Sequence, residues 1–211
     1  MIDELRPFLP EDIEVDVFEI SLHTRPAFLK SALQQAIDAA DGKFDPIFLA
    51  YGLCSNAVVG LSAKQSRLVI PRQHDCIGIF LGSTAARREQ MEVEPGTYFL
   101  TQGYIEGHKR DRSGPIGEYE QMVARYGQGR ADVLIHKMMG QYKRLVYLKA
   151  AHPRNLEGDR EYARDFAARF GMRYEERDAC NDLLRRMMNP EWDQDFVVVP
   201  PGQEIGFEQF M

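Results

Sequence analysis

Cysteine, tryptophan and long apolar runs are scarce in this 211-residue chain, which has three cysteines and one tryptophan. Three cysteines in a chain of this length do not form the disulfide framework of a small secreted protein, so a reducing compartment is expected. The longest apolar runs, such as FVVVPP, are far too short to span a bilayer. No basic segment followed by an apolar stretch opens the chain, as a secretion signal would. These absences predict a cytoplasmic protein without a membrane partner.

Basic residues are also outnumbered, because 26 Lys and Arg face 32 Asp and Glu, for a formal net charge of −6. A protein that binds nucleic-acid phosphates normally carries the opposite balance. The sequence contains neither a G-x-G-x-x-G pattern nor a P-loop, so nothing in it supports nucleotide binding. We therefore expect a globular protein whose partner is a small molecule or a metal ion, and not a nucleic acid.

Strand-like and helix-like stretches alternate along most of the chain. Apolar, β-branched runs predict strands at 14–21, 45–52, 67–71, 97–103, 144–150, 172–177 and 196–201. Helical spacing predicts a helix from Pro26, and DCIGIFLGSTAARREQM predicts another that begins near Asp75. This alternation predicts an α/β fold in a single domain over 1–211, with a mainly parallel sheet and helices on both faces, a Rossmann-like three-layer arrangement. A polar, Gly-rich connection at 107–117 is the expected mobile loop and the alternative boundary between two sub-lobes.

Cysteine and histidine side chains follow two neighbouring predicted strands. Cys54 comes after the strand at 45–52, and His74 and Cys76 come after the strand at 67–71. Because groups beyond the carboxyl ends of parallel strands share one crevice, we expect these three side chains to meet. Two thiolates and an imidazole suit zinc or iron, with a fourth position open for water or substrate. The sequence therefore predicts a metal site at this edge of the sheet.

Two other interpretations of the same cysteines stay open. Cys54 and Cys76 also fit a pair of reactive thiols without a metal, including a reversible disulfide. Free cysteine is among the most buried residue types, so both side chains also fit simple packing in the core. The spacing alone does not decide between a metal site, a reactive pair and a structural role.

Other polar groups are expected at the same edge of the sheet. Arg72 would promote thiolate formation or hold an anionic group, and Asp75 is expected to cap a helix or to orient His74. His23 is a candidate general base or fourth metal ligand. Glycine next to the site permits a bound molecule to approach the backbone closely. The candidate catalytic residues are therefore Asp75, Arg72 and His23, and the candidate cofactor-binding residues are Tyr51, Gly52 and Tyr104.

The sequence resembles the family known as domain of unknown function 1638 in the stretches YGLCSNAVVGL, IPRQHDCIGIFLGS, PGTYFLTQGYIE, RYG…YKRLVYL and PEWDQDFVVVPPG. The resemblance runs through nearly the whole chain. It implies a similar α/β fold, with Cys54, His74, Asp75 and Cys76 in the family signature and His23 in a Leu-His pair. Family members begin with a strand that carries a further cysteine, so we expect this chain to lack that strand and one ligand.

Members of this family often occur beside corrinoid-dependent methyltransfer systems of anaerobes and archaea. The resemblance therefore implies a metal-thiolate enzyme linked to corrinoid-dependent methyl transfer, in which zinc would activate a thiol, with corrinoid methyltransfer proteins as partners. Two alternatives from other classes are a non-catalytic carrier or sensor of a metal or cofactor, and a dithiol redox module.

Overall fold

The computed structural model describes residues 5–112, 114–190 and 192–211. Its contacts divide the chain into two compact units, and each unit has its own three-stranded sheet. The first unit is Met1–Arg87 together with Cys180–Met211, and the second unit is Arg88–Ala179. The chain is therefore a mixed α/β protein, as predicted. The single domain over residues 1–211 stays a prediction.

The helices and strands are bounded as follows. The strands are β1 (Ile47–Phe48), β2 (Leu68–Pro71), β3 (Thr97–Thr101), β4 (Arg144–Lys149), β5 (Arg173–Asp178) and β6 (Phe196–Val199). The helices are α1 (Pro26–Ala40), α2 (Cys76–Leu81), α3 (Thr84–Val93), α4 (Gln102–Asp111), α5 (Gly114–Tyr126), α6 (Gln128–Met139), α7 (Leu156–Arg169) and α8 (Asp182–Met188). Short 3₁₀ helices lie at Arg6–Phe8, Ile20–Thr24 and Phe207–Phe210. Among the described residues, no helix combines the length and the apolar composition that crossing a membrane requires.

The sheet of the first unit has the order β1-β2-β6 and is mixed. β1 and β2 are parallel, with Ile47 opposite Leu68, whereas β6 runs antiparallel to β2, with Val199 opposite Leu68. All four residues of the central β2 are buried, which explains why its sequence is continuously apolar. α1 begins at Pro26, whose missing N–H suits the first helical turn. This helix packs against the core through Leu29, Leu33 and Ile37.

The sheet of the second unit has the order β3-β4-β5 and is entirely parallel. Leu100 of β3 lies opposite Tyr147 of β4, and both are buried. Helices α4 to α6 connect β3 to β4, and α7 connects β4 to β5, as parallel neighbours require. The core of this unit includes Leu100, Ile105, Ile135, Tyr147 and Phe166.

The sequence predicts one sheet, and the structure corrects this. Residues 14–19 form no strand, although their alternation predicts one at 14–21, and the next residues form the 3₁₀ helix Ile20–Thr24. Apolar and polar side chains recur here with the two-residue period of a strand, but none of the described strands pairs with residues 14–19. β1 and β2 lie in one sheet and β3 in the other. The expectation that His23 and Tyr104 lie at the same sheet edge as Cys54 and Cys76 is therefore wrong.

One local prediction is also wrong, and another is correct only in part. The polar connection predicted at 107–117 is largely helical, because α4 extends to Asp111 and α5 begins at Gly114. Lys109 and Arg110 lie on exposed helix surface, whereas His108 of the same helix is buried. The helix predicted from Asp75 is broken at Gly82, which has φ of 84°. Glycine tolerates this left-handed conformation, so the chain ends α2 there and begins α3 two residues later.

Asp41 ties the end of α1 to the loop before β2. Its carboxylate accepts hydrogen bonds from the backbone N–H groups of Lys64, Gln65 and Ser66, each at 2.9 Å. Burial raises the pKa of Asp41, but these hydrogen bonds outweigh burial and hold the pKa below its ordinary value. The ionised carboxylate therefore stabilises the folded state.

We expect Asp41→Asn to lower the Tm at pH 7, with a difference from the wild type that shrinks in acid. A pKa depressed by folding contributes stability above the unfolded-state value of about 3.9, and this contribution is lost as the pH falls through the folded-state pKa. Thermal unfolding followed by circular dichroism at pH 7 and pH 3 measures this. Asp12→Asn, which changes an exposed carboxylate of the same unit, is the control. The same pH dependence in both variants would contradict the expectation.

Candidate functional site

The sulfurs of Cys54 and Cys76 lie 3.2 Å apart at one edge of the sheet of the first unit. β1 and β2 are parallel neighbours, so the segments that leave their carboxyl ends emerge on the same side. Cys54 lies in the turn region that follows β1, and Cys76 is the first residue of α2, which follows β2. Both side chains are partly exposed. The result is a close pair of free thiols.

Backbone contacts continue beyond the strands and hold the two cysteine-bearing segments together. The N–H groups of Leu53 and Cys54 donate to two carbonyl groups just beyond β2, at 2.8 and 3.2 Å. Between these segments lies Gly52, where an added Cβ would be 2.7 Å from the carbonyl carbon of Asp75. That approach is too close for any side chain, so glycine is required at position 52.

Cys54, Ser55 and Asn56 form a turn in which all three residues are left-handed, with φ of 46°, 56° and 66°. This conformation costs roughly 1–2 kcal/mol for most non-glycine residues, so the surroundings must hold it in place. The N–H of Ala57 donates to the carbonyl of Cys54 at 3.2 Å, and the next residue, Val58, is fully buried. The core therefore fixes the backbone that carries the Cys54 sulfur.

The two thiols of the pair differ in acidity. A hydrogen bond from the Cys54 thiol lowers the pKa of Cys76; the Gly52 N–H acts in the same direction, while burial and the Asp75 carboxylate oppose it. The pKa of Cys54 is raised, first by its hydrogen bond to Cys76 and then by burial and by the negative charge of the Cys76 thiolate. Cys76 is therefore the more acidic thiol of the pair.

Tyr51 adds no negative charge to this pair. Burial raises the pKa of its hydroxyl, and the negative charges of the Cys76 and Cys54 thiolates raise it further. The hydroxyl therefore stays protonated at neutral pH, and the side chain packs against the core of the first unit. The roles of Tyr51 and Gly52 in binding a cofactor stay predictions.

Asp75 is the N-cap of α2, as the sequence predicts. One carboxylate oxygen accepts from the N–H of Gly78 at 2.9 Å, and the other lies 3.2 Å from both Nε and Nη2 of Arg87. Both oxygens are thus engaged by partners other than the imidazole of His74, which is exposed. The expected orientation of His74 by Asp75 does not occur in this structure.

Arg72 turns toward β6. Its backbone N–H donates to the carbonyl of Asp195 at 2.7 Å, and its Nη2 lies 3.5 Å from the carbonyl of Phe196. Its Nε is buried and has no hydrogen-bond partner within the described ranges. That Arg72 promotes thiolate formation or binds an anion stays a prediction.

Two further predicted site residues lie on other elements. His23 is exposed on the 3₁₀ helix Ile20–Thr24, where its Nδ1 hydrogen-bonds to the carbonyl of Ile20. Tyr104 lies in the first turn of α4 in the second unit, and its ring meets that of His108 edge-on, with centroids 6.3 Å apart. His23 follows no strand and Tyr104 follows a strand of the other sheet, so the expected common sheet edge fails for both.

The predicted metal ligands are brought together only in part. Cys54 and Cys76 are adjacent, whereas the side chain of His74 is exposed. Across the part of the chain that the structure describes, no group of three or more His, Cys, Asp and Glu side chains is arranged to hold a metal ion. A zinc or iron ion on these residues therefore stays a prediction.

The residues of this site lie within a stretch that matches a known family. The model of that family, described as a protein of unknown function (DUF1638), matches residues 17–188. The chain belongs to the DUF1638 family. The match covers both cysteines of the pair and confirms the resemblance that the sequence motifs indicate. No curated protein and no solved structure matches the chain.

Sequence reasoning misses two residues of this DUF1638 site. Gln73 is 2% exposed, its Oε1 accepts a hydrogen bond from Thr84 at 3.1 Å, and it packs against Gly78. Arg87 pairs with Asp75 from α3. Gln73 lies inside the P-R-Q-H-D-C stretch, so its position was a usable signal. The sequence around Arg87 does not indicate its role, because Arg87 reaches Asp75 only through the break between α2 and α3.

Proposed function

We propose that this protein is a dithiol redox protein in which Cys54 and Cys76 exchange with a disulfide-bonded substrate. One observation carries the proposal: the two sulfurs lie 3.2 Å apart on segments that the backbone holds in place. A disulfide has a sulfur–sulfur bond of about 2.0 Å, so the pair needs to close by only about 1 Å. Partial exposure of both side chains lets a substrate approach.

The exchange follows from the difference in acidity within the pair. The Cys76 thiolate attacks one sulfur of the substrate disulfide, and the other substrate sulfur leaves as a thiolate, which takes up a proton. Cys54 then loses its proton and attacks the Cys76 sulfur, so that the first substrate sulfur leaves as the second thiol. The protein ends with a Cys54–Cys76 disulfide, and two electrons have passed to the substrate. A dithiol reductant reverses both steps.

Thiol counting tests this proposal. Cys180→Ser protein, which keeps only the Cys54 and Cys76 thiols, is incubated with glutathione disulfide and then denatured for thiol titration. We expect the count to fall from two to none, with a mass that shows the loss of two hydrogens and no added glutathione. Two thiols that remain titratable throughout, or a product that is only a covalent dimer, would reject the dithiol function.

A second candidate is favoured by the same pair of sulfurs: binding of zinc or iron by Cys54 and Cys76, with His74 as a third ligand. Two zinc–sulfur bonds of about 2.3 Å at a tetrahedral angle separate the sulfurs by roughly 3.8 Å, so the pair would open by about 0.6 Å. His74 is exposed and would have to turn toward them. Metal analysis of protein purified without added metal, compared with Cys76→Ser, tests this. Substoichiometric metal in both proteins would reject it.

Several finer predictions remain proposals. The family resemblance supports corrinoid-dependent methyl transfer, with corrinoid methyltransfer proteins as partners and with Asp75, Arg72 and His23 as catalytic groups. The alternation of strands and helices supports a Rossmann-like three-layer arrangement. The scarcity of cysteine supports a cytoplasmic location.

A further inference from the structure

Residues 13–19 have the sequence of a strand, but they form no regular secondary structure and pair with none of the described strands. Apolar and acidic side chains alternate in this segment, and its last residue, Glu19, has the extended angles φ −65° and ψ 138°. Within the described ranges, the N–H groups of residues 14–19 donate no backbone hydrogen bond. Unpaired backbone N–H groups are among the groups that an added β-strand binds.

This segment also exposes apolar surface beside a groove. Val15 is 44% exposed and Val17 is 67% exposed. Between the segment and α1 runs a groove of about 340 Å³. It is lined by Asp16, Val17, Phe18, Ala32, Gln35 and Ala36. A strand laid along the segment would therefore find room for apolar side chains next to its backbone partners.

The charge of the segment determines what fits there. Five exposed acidic side chains lie within nine residues: Glu11, Asp12, Glu14, Asp16 and Glu19. No Lys or Arg occurs between Arg6 and Arg25. If a second copy of the segment paired with the first, like charges would face each other, which destabilises a strand pair. An occupant with basic side chains is favoured for the same reason.

We propose that residues 13–19 bind an extended, basic segment of a partner protein as an added β-strand. Backbone pairing supplies the affinity, Lys or Arg side chains meet the acidic groups, and apolar side chains contact Val15 and Val17 and enter the groove. This interaction surface is separate from the Cys54–Cys76 pair, so its test does not depend on the dithiol function.

The probe is a fluorescently labelled peptide of four Lys-Val repeats, titrated with the full chain and followed by fluorescence anisotropy. We expect saturable binding that weakens as salt is added. The double variant Glu14→Lys/Asp16→Lys is expected to bind at least about tenfold more weakly. Glu89→Lys/Glu92→Lys makes the same change in net charge on the exposed side of α3 and is expected to bind like the wild type. A peptide of four Glu-Val repeats is expected not to bind.

A Lys-Val peptide with N-methyl groups on alternate residues separates strand pairing from simple charge attraction. It keeps the charge and loses the N–H groups that pair, so we expect binding about tenfold weaker. Equal binding of the methylated peptide, unchanged binding by Glu14→Lys/Asp16→Lys, or no binding of the unmodified peptide would overturn the proposal. So would a dimer in sedimentation velocity that Val17→Lys abolishes, because the occupant would then be a second copy.

Discussion

In a Cys180→Ser background, which leaves only the thiols of the pair, Cys54→Ser is expected to stop thiol exchange at a mixed disulfide, whereas Cys76→Ser is expected to slow the first step. In Cys54→Ser the Cys76 thiolate still attacks glutathione disulfide, but no second thiol is present to release the bound glutathione. In Cys76→Ser the remaining thiol is Cys54, whose burial still raises its pKa after its partner is gone. Because each pKa unit changes the thiolate fraction tenfold, we expect adduct formation to be slower by about 10- to 100-fold.

The reaction of each variant is followed by intact mass spectrometry of samples that are quenched with acid at successive times. The wild type should show a transient adduct and then the intramolecular disulfide, and Cys54→Ser should keep one glutathione per chain. Cys180→Ser, which changes the exposed third cysteine, is the matched control and should behave like the wild type. The assignment of Cys76 as nucleophile fails if Cys76→Ser forms the adduct as fast as Cys54→Ser does.

Gly52→Ala is expected to separate the two thiols and to destabilise the first unit. The new Cβ would lie 2.7 Å from the carbonyl carbon and 2.9 Å from the carbonyl oxygen of Asp75, and both are backbone atoms that cannot rotate away. Overpacking of this kind costs about 1–3 kcal/mol. Relief of the clash moves the Cys54 and Cys76 segments apart, so we expect disulfide formation to slow together with the loss of stability.

Urea unfolding gives the free energy, and thiol counting after glutathione disulfide treatment gives the rate of closure. Gly129→Ala is the control, because a Cβ at Gly129 meets no atom within 4 Å and lies in a helix that alanine favours. A Gly52→Ala protein with the stability and the closure rate of the wild type would show that the close approach at Gly52 does not position the thiols.

Local sequence accounts for most of the secondary structure and little of its assembly. β2 and residues 145–148 of β4 are continuous apolar runs, and α7 buries Ala163, Phe166 and Ala167 along one stripe. These patterns arise within a few residues, so the sequence reveals them. Strand pairing is not local. β6 lies far along the chain from β2 and still pairs with it, while β3 belongs to another sheet. An expectation that consecutive strands neighbour each other therefore merges two sheets into one.

In the candidate site, too, the sequence explains one part of the arrangement and does not reveal the other. Parallel strands at β1 and β2 explain why Cys54 and Cys76 meet, and this follows from the order of the elements. The exposed direction of the His74 side chain depends on backbone angles that its residue type does not encode. The left-handed turn at Cys54 is equally hidden, since cysteine rarely adopts that conformation.

The burial of a charged residue is likewise not evident from the local sequence. Arg144 begins β4 and is 2% exposed, although arginine is almost never fully buried. Its guanidinium donates to the Thr97 hydroxyl and to the Gln90 carbonyl, and it pairs with Glu175. These partners lie on three other elements, so only the folded chain shows why a charged residue is tolerated there.

The first unit is assembled from two separate stretches of chain, Met1–Arg87 and Cys180–Met211, and this has a consequence for biosynthesis. The intervening stretch is continuous, so its parallel sheet closes as soon as β5 has left the ribosome. The sheet that carries the thiols is complete only once β6 has also been made. During synthesis, Cys54 and Cys76 are therefore made before the sheet that positions them is complete.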